Sequence, residues 1–134
     1  MKTFIAAVAA AGLLAFSGVS HAGQISSPTI FGTAQQQSAE CSIYNNSTVK
    51  VTVTVKIIDD FANTVSQSSC GGPISPGQFC SLFTPVSNDE AHTCVVTSPG
   101  SVTSLRASLV IYERVFDPLF QLFYRQVVRS AALR

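Results

Sequence analysis

Histidine is scarce in this chain, two in 134 residues, and only His92 lies beyond the N-terminal leader described below. Hydrolytic and group-transfer chemistry usually needs a base, a nucleophile and a group to orient them, so the supply for catalysis is thin. His92 stands two residues from Cys94, in or beside a run of strand character, and reads as a surface or strand-end histidine. No Gly-x-Ser-x-Gly turn is present to expose a serine nucleophile. No Cys-x-x-Cys pair is present for redox work, and even the nearest cysteines, Cys70 and Cys80, are too far apart for the close ligand pairs of a zinc site. On the body no basic stripe interleaves with aromatics, so the footprint of a nucleic-acid binder is missing there. The sequence thus points away from an enzyme, a bound cofactor or metal, and nucleic acid.

What is present first concerns compartment. Met1-Lys2 carries the positive charge of a leader, Phe4 to Phe16 is a short apolar run, and Ser20-His21-Ala22 sets small residues where a leader peptidase reads them. The run falls short of the roughly 20 apolar residues of a membrane-spanning helix, and no later stretch reaches that length. A bacterial-type signal peptide over residues 1–22, cleaved after Ala22, is expected. No cysteine stands at or just after that point to take a lipid. The mature chain is expected in the periplasm or outside the cell, and its 112 residues, 134 less the 22 of the leader, suit one domain.

Export matters for the four cysteines, Cys41, Cys70, Cys80 and Cys94, which all lie in the mature part and would be oxidised there. Four cysteines allow three pairings; the strand reading favours Cys41 with Cys94 and Cys70 with Cys80. In the loop-entropy picture the long closure is worth about 4 kcal/mol and the short one about 3 kcal/mol.

The body reads as strands and turns. After an irregular arm at 23–37 with one edge strand, Cys41 and Ile43 alternate with Ser42 and Tyr44, and Asn45-Asn46-Ser47 supplies turn chemistry for a hairpin. From Thr48 to Asp59, Val49, Val51, Val53, Val55 and Ile57 face one side and Lys50, Thr52, Thr54 and Lys56 the other, a spacing no helix uses. Asp59, Asp60 and Asn63 read as a turn rather than as calcium ligands, and the two overlapping glycosylation patterns at Asn45 and Asn46 likewise read as a turn. Thr64 to Cys70 is a short polar edge strand able to accept strand addition. Runs at 78–84, 92–98 and 105–113, punctuated by Pro76-Gly77, Pro85 and Pro99-Gly100, complete about seven strands of an all-β antiparallel sandwich over residues 38–113.

Glu40-Cys41-Ser42-Ile43-Tyr44-Asn45, the Val-Thr-Val-Thr-Val run from Val51, Pro76-Gly77-Gln78, Thr93-Cys94-Val95-Val96 and Arg106-Ala107-Ser108-Leu109 together resemble a group of small exported bacterial proteins with an immunoglobulin-like β-sandwich. The resemblance covers residues 38 to 113 and implies a fold rather than a function. It would put Cys41 on the second strand and Cys94 on the penultimate one, like the inter-sheet bridge of immunoglobulin domains. The tryptophan that packs on that bridge in antibody domains has no counterpart, since the chain contains none.

The remaining feature is the basic tail at 114–134. Residues 23–113 hold Lys50, Lys56 and Arg106 against six carboxylates, whereas 114–134 hold four arginines against Asp117 alone. Asp117-Pro118 has the form of a helix start. Winding 118–134 as an amphipathic helix gathers Leu119, Phe120, Phe123, Tyr124, Val127 and Ala131 on one face, with Gln121, Arg125, Arg129 and Ala132 on another. The competing reading is a final strand over Phe120 to Val128, rich in aromatic and branched residues. The apolar face would pack on the body, on a partner protein or second copy, or as an interfacial element on an anionic membrane. Phe120, Phe123, Tyr124, Arg125, Val127 and Arg129 are the candidate contact residues. The functional expectation is a non-catalytic binding or structural module of the bacterial envelope, or alternatively a membrane-surface or assembly factor acting through the tail.

Overall fold

Strand alternation dominates the described part of the chain. The computed structural model describes residues 22–32, 37–86 and 89–133; the expected leader, Ala22 excepted, lies outside the described residues. Nine strands follow one another: β1 (Gly23–Ser26), β2 (Ile30–Gly32), β3 (Gln37–Asn45), β4 (Thr54–Ile58), β5 (Thr64–Ser68), β6 (Phe79–Pro85), β7 (Glu90–Ser98), β8 (Leu105–Asp117) and β9 (Leu122–Ala132). They form two antiparallel sheets, one in the order β1-β7-β4-β5 with β2 also on β7, the other in the order β6-β3-β8-β9.

The period-2 pattern places every second side chain between the sheets. Ala39, Cys41 and Ile43 of β3 and Leu105, Leu109 and Ile111 of β8 meet Val55 and Ile57 of β4 and Cys94 and Val96 of β7, all buried in one cluster. Each Val, Leu or Ile so buried contributes about 1.5–3 kcal/mol, and a one-residue slip would turn the whole set outward. Two disulfides hold the sheets together. Cys41–Cys94 crosses the centre from β3 to β7, and Cys70–Cys80 ties the end of β5 to β6 at one side. Both expected pairings are therefore present, and two such bridges mark an oxidising compartment.

Three expectations are corrected. The Asn45-Asn46-Ser47 segment is not a hairpin, because β3 and β4 belong to different sheets. Fully buried Asn45 makes it a crossover: its Nδ2 donates to the carbonyls of Val49 and Ile74, and its Oδ1 accepts from the N–H and Oγ of Ser47. The valine run keeps its alternation only from Val51, with Val51, Val53, Val55 and Ile57 buried but Val49 exposed, and ladder pairing begins only at Thr54; before it Val51 makes a single bridge to Ile74. Nor is the tail an amphipathic helix. Residues 122–132 are β9, paired to β8 from Ser108↔Ala132 to Asp117↔Leu122.

The tail's local chemistry explains that last correction. Asp117 does cap N–H groups, its Oδ1 accepting from Leu119 and Phe120, but the cap closes a four-residue turn, Pro118 to Gln121, instead of starting a helix. Gln121 takes a left-handed φ of 52° and sends the chain back. Aromatic and branched residues then favour the extended ladder that a long β8 offers.

Candidate functional site

The β8–β9 hairpin outruns the rest of its sheet. Pairing between β3 and β8 ends at Gln37↔Glu113, while pairing between β8 and β9 continues to Asp117↔Leu122. Among the described residues, Arg114 to Asp117 and Leu122 to Arg125 thus have only each other as ladder partners. The two strands and their turn form an arm.

Register fixes the two faces of the arm. Ile111 is in the core and lies opposite Arg129, so by alternation Glu113, Val115 and Asp117 with Gln126, Tyr124 and Leu122 continue the inner side. Tyr112, Arg114 and Phe116 with Val127, Arg125 and Phe123 make the outer side. The register shifts between Ile111 and Tyr112, which leaves Val128 unmatched and puts Arg125 and Arg129 on opposite faces.

Both faces carry apolar side chains that nothing among the described residues covers. Outside lie Phe116, Phe123 and Val127, inside lie Leu122 and Tyr124, and all are exposed. At the turn Leu119 is 87% and Phe120 71% exposed. Phe116 and Phe123 touch, ring centroids 4.9 Å apart.

The arginines are arranged in a specific way. Arg114 and Arg125 are direct cross-strand partners on the outer face, a like-charge pairing that destabilises a ladder. They diverge. Arg125 turns toward the body, lying 4.2 Å from the ring centroid of Tyr112 and 3.0 Å from Glu40 Oε2. Arg114 turns toward the tip, 4.1 Å from the ring centroid of Phe123, and meets no carboxylate within ion-pair distance among the described residues. Arg129 donates to the Phe31 carbonyl at 2.7 Å and clips β9 to β2 across the gap between the sheets.

The six expected contact residues are therefore brought together on one hairpin, but not on one face: Phe123, Arg125 and Val127 are outer, Tyr124 and Arg129 inner, and Phe120 is in the turn. Tyr112, Arg114, Phe116 and Leu122 join them. For Tyr112 and Phe116 the signal in the sequence was the apolar character of Val110, Tyr112 and Phe116 opposite the inward-facing Leu109 and Ile111, which alternates too weakly for a strand with one wet face.

Other candidates offer less. His92 is 1% exposed, buried at the start of β7 rather than at the surface. Its Nε2 lies 3.8 Å from Glu90 Oε2, and its Nδ1 has no hydrogen-bond partner among the described residues. Asp59 spends both carboxylate oxygens on its own turn: Oδ1 accepts from the N–H groups of Phe61 and Asn63, and Oδ2 from Asn63 Nδ2. These bonds, the Asn63 side chain foremost, hold its carboxyl below the usual aspartate range against a smaller opposing effect of desolvation. Among the described residues no three His, Cys, Asp or Glu side chains are grouped to hold a metal ion. A shallow groove on the outer side of β3 and β8 is lined by Ser42, Tyr44, Phe79, Arg106 and Ser108. The polar strand β5 is an edge, as expected, but Ser66 Oγ donates to the Phe83 carbonyl and the Cys70–Cys80 bridge ties its end to β6.

Comparison with protein-family models, with curated proteins and with solved structures finds no match.

Proposed function

We propose that this protein is a non-catalytic binding or structural module of the bacterial envelope, exported through its leader, that works by presenting the β8–β9 arm to a partner. The observation that carries this reading is the arm itself: a ladder extended past its own sheet, apolar on both sides and covered by nothing among the described residues. Exposed apolar patches of this kind accompany interaction sites in soluble proteins.

The body reads as an immunoglobulin-like support. In constant-type immunoglobulin domains the strands divide as ABED and CFG, with a bridge from B to F. Here β3 pairs β6 as B pairs E, β4 pairs β7 as C pairs F, and Cys41–Cys94 joins β3 to β7. The outer strands exchange sides, since β8 flanks β3 while β1 and β2 flank β7. That exchange is what gives the last strands a free edge on which to build an arm.

The test is site-specific photo-crosslinking in the producing cell, with benzoylphenylalanine at Phe120 on the arm or at Val49, an exposed loop residue near the opposite end of β8. Adducts are expected from position 120 and not from 49. No adduct from 120, or equal adducts from both, would end the reading; so would a turnover activity that disappears in His92→Ala.

A further inference from the structure

We infer that the partner of the arm is an anionic lipid surface, into which the turn and the last rungs of the hairpin dip as far as the Arg114–Arg125 pair. This rests on the reading of the arm as the contact element and names what it contacts.

Three observations point the same way. The first is two-sidedness. A protein partner docking on a sheet covers one face, whereas Phe116 and Phe123 are exposed on one side, Leu122 and Tyr124 on the other, and Leu119 and Phe120 at the end. An apolar medium that surrounds the tip covers them all.

The second is the order of side chains along the arm. From the tip, the rungs are Asp117↔Leu122, Phe116↔Phe123, Val115↔Tyr124, Arg114↔Arg125 and Glu113↔Gln126. Apart from Asp117, apolar and aromatic side chains come first, tyrosine and arginine next, carboxylate and amide last. Three residues separate the Asp117 rung from the arginine rung, about 10 Å at the strand rise of roughly 3.4 Å. Interfacial elements bury their apolar parts about 5–10 Å below the headgroups, so the arginines come to the level of the phosphates when the tip is seated. The one carboxylate at the tip, Asp117, is occupied by the N–H groups of Leu119 and Phe120.

The third is charge. Two arginines directly opposite one another disfavour the ladder; Glu40 answers Arg125, while Arg114 meets no carboxylate among the described residues. A lipid phosphate answers Arg114. Pairing of β9 with the β9 of a second copy leaves both faces of the arm bare and brings no anion to Arg114. Insertion stays shallow, because among the described residues the hairpin's outer edges carry unpaired backbone groups that hydrocarbon cannot satisfy.

The absence of tryptophan makes the test clean. Phe120→Trp installs a single reporter at the tip, and Val49→Trp one near the other end. With phosphatidylglycerol-containing vesicles the tip reporter is expected to shift to the blue and be quenched by lipids brominated high on the acyl chain, while the Val49 reporter does neither. Flotation should show binding to these vesicles and little to phosphatidylcholine alone. Arg114→Gln should weaken it about fivefold, and Leu119→Ser with Phe120→Ser on the order of a hundredfold. These side chains add nothing to the core, so folding is checked by an unchanged circular dichroism melt. Absent blue shift and flotation overturn the lipid assignment, as does binding indifferent to Arg114→Gln and to the lipid's charge. If vesicles stay unbound while the Phe120 photo-crosslink yields a protein or a second copy, the lipid inference falls and the arm remains the contact element. If the crosslink too is empty, both fall.

Discussion

Removing the two disulfides one at a time should expose how unequally they hold the sheets. Cys41–Cys94 closes 53 residues and Cys70–Cys80 closes 10. Loop-closure entropy makes the first worth about 4 kcal/mol and the second about 3 kcal/mol in the unfolded state. The native side widens the gap. Cys41 and Cys94 are both fully buried in the core cluster, so Cys41→Ala with Cys94→Ala leaves a void that costs on the order of 1 kcal/mol per site, whereas Cys70 and Cys80 lie at the rim, only partly buried. The central double variant should therefore lose about 6 kcal/mol and the rim variant, Cys70→Ser with Cys80→Ser, about 3 kcal/mol. Since small domains hold only about 5–15 kcal/mol in all, the rim variant should remain folded and the central one approach its limit. Urea unfolding followed by far-ultraviolet circular dichroism measures both, with a slope that increases more for the central variant as its unfolded chain expands. A rim variant as unstable as the central one would refute the reasoning, because loop length and burial then decide nothing.

Asn45→Ala should cost about 3 kcal/mol in the same urea titration, since it strips the Val49 and Ile74 carbonyls of their shared donor at a fully buried site; a loss below about 1 kcal/mol would mean that water replaces the amide. The Asp59 turn predicts a pH dependence of definite sign. The carboxyl titrates lower when folded than when unfolded, so its contribution is fully present above the usual aspartate value near pH 4 and is lost as pH falls through the lower folded value. Urea midpoints should fall more steeply on acidification for the wild type than for Asp59→Asn, the two curves converging at the acid end. Parallel curves would show that Asn63 does not hold the carboxylate in solution.

Core and cross-links were readable in advance because both rest on local, repetitive signals. The alternation of Val51, Val53, Val55 and Ile57 marks a buried face whether or not a ladder accompanies it, and in the fold part of that run is a loop that keeps its pleat. Cys41 and Cys94 lie within alternating runs whose inner faces they share, which is enough to pair them. Strand partners were another matter. Asn45-Asn46-Ser47 carries turn residues in either case, and whether the chain returns to the same sheet or crosses to the other depends on what the Asn45 amide meets, here the Ile74 carbonyl 29 positions away. The tail failed for a sharper reason. Asp117-Pro118 has identical local chemistry at a helix start and in a tight hairpin turn, and Leu119, Phe120, Phe123, Tyr124 and Val127 satisfy a period of 3.6 and a two-faced strand alike. The deciding fact was non-local: a β8 of 13 residues with a free side.

That free side bears on function. Of the four sheet edges, three are blunted in ways that discourage association. The β1–β2 edge is interrupted at Pro28, β5 is short and polar, and β6 ends at Pro85 and is bridged to the end of β5. The fourth, β9, is long and proline-free, and its two central arginines are drawn back onto Glu40 and the Phe31 carbonyl instead of guarding the edge. Exposed aromatics alone do not single out the arm, since Phe79 and Phe83 of β6 are bare too; among the described residues the long, unblunted edge of β9 does, and such local exceptions concentrate where a protein meets something else. The exception extends beyond the edge to both faces and the tip, which is more exposure than strand addition alone requires. If the arm served only to pair edges, Leu119 and Phe120 at its end could be polar at no cost; under the proposed function, their place among the most exposed large apolar side chains in the described chain puts the contact at the tip.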